Sequence, residues 1–176
     1  MLRPVRRIVT GHNDQGRSII VSDDVSPHTK ADRLTDLWRT FSAPASNQDD
    51  ADQAATAVEL KPPPGGTVFR CFQIKPEADY QEQSADERQR QAAQLFEAMG
   101  AGHERDAEAR HPNMHKTNSV DYIILLSGEV TMLLDDGEVA MKPLDVVIQR
   151  GTNHAWVNYG TEPAVLAAIL IDAEPL

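Results

Sequence analysis

The runs His111–Glu138, "HPNMHKTNSVDYIILLSGEVTMLLDDGE", and Val146–Asn158, "VVIQRGTNHAWVN", decide how this chain is read. Each sets histidine beside apolar, strand-like residues and breaks at glycine. In an extended strand alternate side chains share a face, so His115, Thr117, Ser119 and Asp121 point one way if the strand is unbroken. The same rule puts His154, Trp156 and Asn158 together. Gly128 and the Asp136–Gly137 pair cut the first run into strand, turn, strand, turn. The carboxylates Asp135, Asp136 and Glu138 therefore read as a solvated hairpin turn rather than a paired-acid site.

The same alternation continues outward in both directions. Towards the C-terminus, "EVAMK", "VVIQR", "AWVNYG" and "AVLAAILIDA" are short strands spaced by Gly, Asp or Pro, the pattern of an all-β sandwich or barrel. Towards the N-terminus, "RRIVT" and "RSIIVSD" flank the turn residues of "GHNDQG", giving a hairpin from about Arg6 to Asp23. "LTDLWRTF" and "TVFRCFQIKP" are further strands. Between them lie the polar stretch "SAPASNQDDADQAATA", an expected exposed loop, and the breaker "KPPPGG".

One segment has a different period. In "SADERQRQAAQLFEAMGAG", Ser84 and Glu87 have capping-box spacing, Ala92, Leu95, Phe96 and Met99 recur at helical intervals, and Gly100 supplies a stop. A helix is expected from about Ala85 to Met99. Its apolar stripe has two readings: packing on the outside of a sheet, or covering a pocket.

The 176 residues suit a single domain over 1–176, with a β extension and exposed loop over 1–60, the inserted helix over 84–103 and the motif-bearing strands over 113–172. With 27 acidic against 17 basic residues and a formal charge of −10, the surface repels phosphate backbones and anionic membranes, so neither nucleic acid nor membrane is an expected partner. Cys71 is the single cysteine, which excludes an intrachain disulfide and a thiolate metal cluster. It alternates within an apolar strand and reads as a small buried hydrophobe. The basic opening "MLRPVRRIV" is followed by no apolar core of signal-peptide length, and a cytoplasmic location is expected. No phosphate-cradling glycine loop or G-x-S-x-G elbow occurs.

The two opening runs resemble the signature motifs of the cupin superfamily. In the first motif of that family two histidines separated by one residue precede a carboxylate, then six residues and a Gly; here His115, Asp121, "YIILLS" and Gly128 match, with Thr117 at the second histidine and Asp121 where Glu is usual. The second motif matches through Gly151, His154 and Asn158, and "PLD" at Pro143 to Asp145 resembles a Pro-Gly-Asp turn with Leu144 in place of Gly. The pattern H-x-T-x-x-x-D-Y also resembles a subset of bacterial and fungal cupins, some near secondary-metabolite gene clusters.

The resemblance implies an all-β fold, the double-stranded β-helix or jelly-roll barrel, here with an N-terminal β extension and one inserted amphipathic helix. It also implies a divalent transition metal (Fe, Mn, Ni or Zn) held by His115, Asp121 and His154, since imidazole and carboxylate suit such ions and three protein ligands leave positions open. His111, four residues before His115, is a candidate substitute for the missing histidine. Thr117 or Tyr122 would orient a small organic substrate, Asn158 would fix its turn, and a homodimer is expected. Two functions stay open: a metal-dependent enzyme of oxygenase, decarboxylase, lyase or isomerase type, and a non-catalytic small-molecule binder in which the same residues form a hydrogen-bonded polar cluster.

Overall fold

The computed structural model of the chain describes residues 4–30, 33–48 and 51–175; residues 1–3 of the basic opening and 49 and 50 of the polar loop lie outside them. Within the described residues the order is β1 (Arg6–His12), β2 (Ser18–Val25), β3 (Thr29–Lys30), β4 (Leu34–Thr40), β5 (Thr67–Ile74), α1 (Ala85–Ala98), β6 (Ser119–Ser127), β7 (Val130–Leu134), β8 (Glu138–Met141), β9 (Val146–Arg150), β10 (His154–Val157) and β11 (Ala164–Asp172). The chain is mostly β with one α-helix, as the alternation and the single helical segment require. The short strand β3 had no signal in "SPHTK".

Hairpin β1–β2 stands as a two-stranded sheet, while β3-β4-β5-β11-β6-β9 and β10-β7-β8 form antiparallel sheets of six and three strands. The core lies between the larger two. Val68, Ile123, Leu125, Leu166 and Leu170 from one meet Val130, Met132, Met141 and Trp156 from the other. Each fully buried aliphatic side chain contributes about 1.5–3 kcal/mol through removal from water. Among the described residues the sheets do not merge into a closed ladder. Isolated bridges between His115 and His154 and between Pro76 and Asn158 tie their rims together.

Local chemistry fixes the details. Ser84 accepts the Glu87 N–H and Glu87 returns a bond to the Ser84 N–H, so the expected capping box starts α1. Gly128 has φ +79, and a Cβ there would lie 2.8 Å from Ala164 Cα, so only glycine lets β6 turn into β7 beside β11. Leu144 adopts φ 76 in the Pro-Leu-Asp turn, a left-handed conformation that costs a side-chain-bearing residue about 1–2 kcal/mol. Asn158 is buried and ties three segments, donating to Ile74 O and Glu162 O and accepting from Gly160 N.

The polar loop is not exposed throughout. Ala54 is buried, and Asp52 pairs with Arg7 at 2.6 Å and with His28 at 2.9 Å. Arg7 first, with His28 in support, holds the Asp52 carboxyl well below the usual range and pins the first hairpin to this loop. Among the described residues no helix is long and apolar enough to cross a membrane.

Candidate functional site

A chamber of about 250 Å³ opens where the two sheets part, walled by β5, β6, β10 and β11 and by Leu95, Phe96 and Met99 of α1. Of the two readings of the helix, the pocket wall is the one its contacts match. Phe96 packs on His115, with ring centroids 4.8 Å apart. The helix stripe thus serves a cavity as well as the core.

His115 and His154 are brought face to face by backbone pairing: each N–H donates to the other's carbonyl, at 3.0 and 2.9 Å. Their rings lie 4.5 Å apart between centroids, and Trp156 closes edge-on against His154 at 5.9 Å. The His115 Nδ1 lies 2.8 Å from Asn113 O, and the His154 Nδ1 lies 2.9 Å from Thr152 O. A carbonyl can only accept, so both Nδ1 atoms carry the proton and both Nε2 atoms keep a lone pair. Neither Nε2 has a hydrogen-bond partner among the described residues. Burial and the adjacent His154 push His115 down to about 3, and burial lowers His154 as well, so both rings are neutral at physiological pH.

Asp121 lines the same chamber and its Oδ1 is buried with no hydrogen-bond partner among the described residues. Burial pushes its carboxyl up to about 6, while the Ser119 hydroxyl and the Arg70 charge pull it down. Thr117 Oγ1 lies 2.7 Å from Ser119 Oγ. Because a carboxylate only accepts, Ser119 donates to Asp121 and Thr117 donates to Ser119.

Thr117 is buried against Ser119 and is not among the residues that line the chamber, so its hydroxyl reaches Asp121 through Ser119. Tyr122 is 42% exposed, because the strand alternation that turns Asp121 inward turns its neighbour outward. His111 does not join the pair; it lines an adjoining recess. Among the described residues no three His, Cys, Asp or Glu side chains form a ready metal-holding cluster. Two imidazoles are together, and the carboxylate stands apart in the same wall.

No family model matches the chain. Over 99% of its length it is 26% identical to the cupin-domain-containing oxidoreductase virC of Hypocrea virens, of which it spans 79%. Over 97% of its length it is 25% identical to the cupin-domain-containing oxidoreductase fogC of Aspergillus ruber, of which it spans 74%. The chain is thus similar to cupin-domain proteins along nearly its whole length. Over 99% of its length it is also 26% identical to the phomopsin biosynthesis cluster protein D of Diaporthe leptostromiformis, of which it spans 82%. A cupin 2 conserved barrel domain protein of Salinispora arenicola shares 14% identity over 61% of this chain and 64% of that one, with a TM-score of 0.37.

Sequence reading missed the residues beneath the chamber. Asp36, Arg39 and Arg70 form a buried ion cluster, with Arg39 Nη2 3.0 Å from Asp36 Oδ2 and Arg70 Nε 3.0 Å from Asp36 Oδ1. Arg70 also donates to Glu59 O and Leu60 O and forms part of the chamber floor. A signal existed: Asp36 and Arg70 are charged residues of opposite sign inside apolar strands, and they are register partners on β4 and β5.

Proposed function

We propose that this cupin-type chain is an oxidoreductase acting on a small organic molecule in the chamber, with a divalent transition metal held by His115 and His154 and completed by Asp121. The observation that carries the reading is the shared tautomer: both rings spend Nδ1–H on a backbone carbonyl and keep Nε2 uncommitted, the arrangement that orients imidazole ligands. The donor set fits, since neutral imidazole and an unpartnered carboxylate oxygen suit Fe, Mn, Ni or Zn. When bound, the ion would polarise a substrate oxygen or support electron transfer.

The chain's own residues do the rest. His115 and His154 stay neutral across physiological pH, because their rings are pushed well below it. With no ion bound, burial raises the Asp121 carboxyl to about 6, so it is mostly ionised at neutral pH and able to meet a cation. Phe96, Trp156 and Ile123 exclude water from that wall, which strengthens electrostatic interactions there. The names of the whole-length relatives support the oxidoreductase class.

The test is an anaerobic calorimetric titration of Fe²⁺, Mn²⁺, Ni²⁺ and Zn²⁺ into the metal-stripped chain. The proposal expects saturation near one ion per chain for at least one metal, lost in His154→Ala. A second reading, a small-molecule binder without an ion, is favoured by the separation of Asp121 from the histidine pair. It predicts no saturable metal binding and unchanged ligand affinity in the same variant. The homodimer belongs to the proposal too. The exposed apolar side chains Phe69, Tyr122, Leu126, Val146 and Ile148 on the larger sheet support it, and light scattering of the purified chain decides it.

A further inference from the structure

A second recess, of about 380 Å³, lies beside the chamber, between α1 and the segment that follows β5. The two cavities share Arg33, Ile74, Leu95, Asn113 and Trp156 as walls, so they adjoin, the chamber at the inner apolar end and the recess at the outer polar end. The outer end is cationic in a chain of net charge −10. Arg33, Lys75 and Arg88 line it against one carboxylate, Glu77. Arg88 is committed to Glu77. Arg33 donates to the neutral Tyr80 hydroxyl at 2.5 Å, and Lys75 has no ion pair or hydrogen bond among the described residues. Two cations therefore face the recess without a counter-charge among the described residues.

A third donor sits in the same lining. The His111 Nδ1 accepts the Asn113 N–H at 3.2 Å, so the proton of that neutral ring is on Nε2. That nitrogen is buried with no partner among the described residues. A buried donor left unpaired is costly, and the cost is recovered when a ligand supplies an acceptor. An Arg fork, a Lys ammonium and an imidazole N–H are matched by a carboxylate, which only accepts. The apolar inner end requires that the anion carry a hydrophobic body.

We propose that the outer recess is a carboxylate-binding site and that its ligand is an amphipathic organic acid. Arg33, Lys75 and the His111 Nε2–H hold the carboxylate, and the apolar body lies past Leu95 and Trp156 into the chamber. That this acid is the substrate rests on the oxidoreductase reading above; the binding site does not. The chain's overall charge gives such an anion no long-range attraction, so recognition is short-range and belongs to the two free cations.

The test is calorimetric binding of 4-phenylbutyrate and of its neutral amide to the full chain. The acid is expected to bind at least about tenfold tighter than the amide, with the difference shrinking in high salt. Arg33→Gln and Lys75→Gln should each erode the preference and together abolish it. Lys75 pairs with no described residue, so its replacement leaves the fold intact. Equal affinity for acid and amide, no binding of either, or a preference that survives both substitutions overturns the proposal. Displacement of the acid by equimolar inorganic phosphate also overturns it, since the site would then be a general anion pocket. The assay needs neither ion nor turnover. A failed metal titration with an intact acid preference counts against the chamber reading alone, and the reverse counts against this one.

Discussion

Two groups of buried polar side chains lie within the same sheet sandwich, and they differ in what they do with their valence. Asp36, Arg39 and Arg70 are almost wholly buried and paired by charge, and Arg70 also donates to the Glu59 and Leu60 carbonyls, although Asp36 Oδ1, Arg39 Nε and Arg70 Nε make no well-aligned hydrogen bond among the described residues. His115, His154 and Asp121 are anchored on one side only. Each ring gives its Nδ1–H to the backbone and keeps Nε2, and Asp121 keeps a buried oxygen. Internally paired charge is a device of architecture, whereas unspent lone pairs lining a cavity are a device of chemistry.

The largest expected effect breaks the first group. Asp36→Ala leaves two guanidinium groups without their shared carboxylate and should cost about 3–5 kcal/mol in urea unfolding. His154→Ala should cost only about 1–2 kcal/mol, because the backbone bridge to His115 survives. If His154→Ala unfolds the chain as severely as Asp36→Ala, the division between the groups fails.

The second effect is reciprocal. Metal affinity should fall by at least about 100-fold in His154→Ala, as expected when one of two imidazole ligands is removed, and stay close to the parent's in the folded variant Arg39→Lys. Calorimetric titration of both variants reads it.

The third is a pH dependence. His115 is pushed to about 3 from an ordinary value near 6.5, so the unfolded state binds more protons between those values, and its contribution to stability is present above 6.5 and lost as pH falls towards 3. Asp121 has the opposite sign, since its raised carboxyl costs stability as pH climbs from about 4 to about 6. His115→Gln should make the acid limb of urea midpoints below pH 6.5 shallower, leaving the contributions of His154 and His111, which have the same sign, and of Asp121, which opposes them. An unchanged acid limb in that variant would mean that His115 is not buried neutral.

Two smaller effects sharpen the contrast. Thr117→Val removes the donor to Ser119 and should cost about 1 kcal/mol, with a higher Asp121 pKa by carbon-detected NMR. Leu144→Gly should gain about 0.5–1 kcal/mol by relieving a left-handed Leu in an exposed turn, without changing metal affinity.

The sequence made the second group legible and hid the first for one physical reason. His115 lies ahead of β6 and meets His154 through a backbone bridge, but the inward turn of Asp121 follows from the alternation of β6, and α1 from a capping box and a period contained in fifteen residues. The alternation and the capping box are local signals. The Asp36–Arg70 pairing depends on the register between β4 and β5, separated by a polar loop, and the recess at Arg33, Lys75 and His111 on the docking of α1. Tyr122 follows Asp121 in the chain, and the pleat turns its side chain to the outer face of the sheet.

The most direct test of the central claim is long-range ¹H–¹⁵N NMR of the imidazoles in uniformly labelled, metal-stripped protein at neutral pH. The account predicts neutral His115 and His154 rings protonated at Nδ1, with unprotonated Nε2 signals that alone move when Zn²⁺ is added. Nε2-protonated or doubly protonated rings, or spectra indifferent to Zn²⁺, would contradict it.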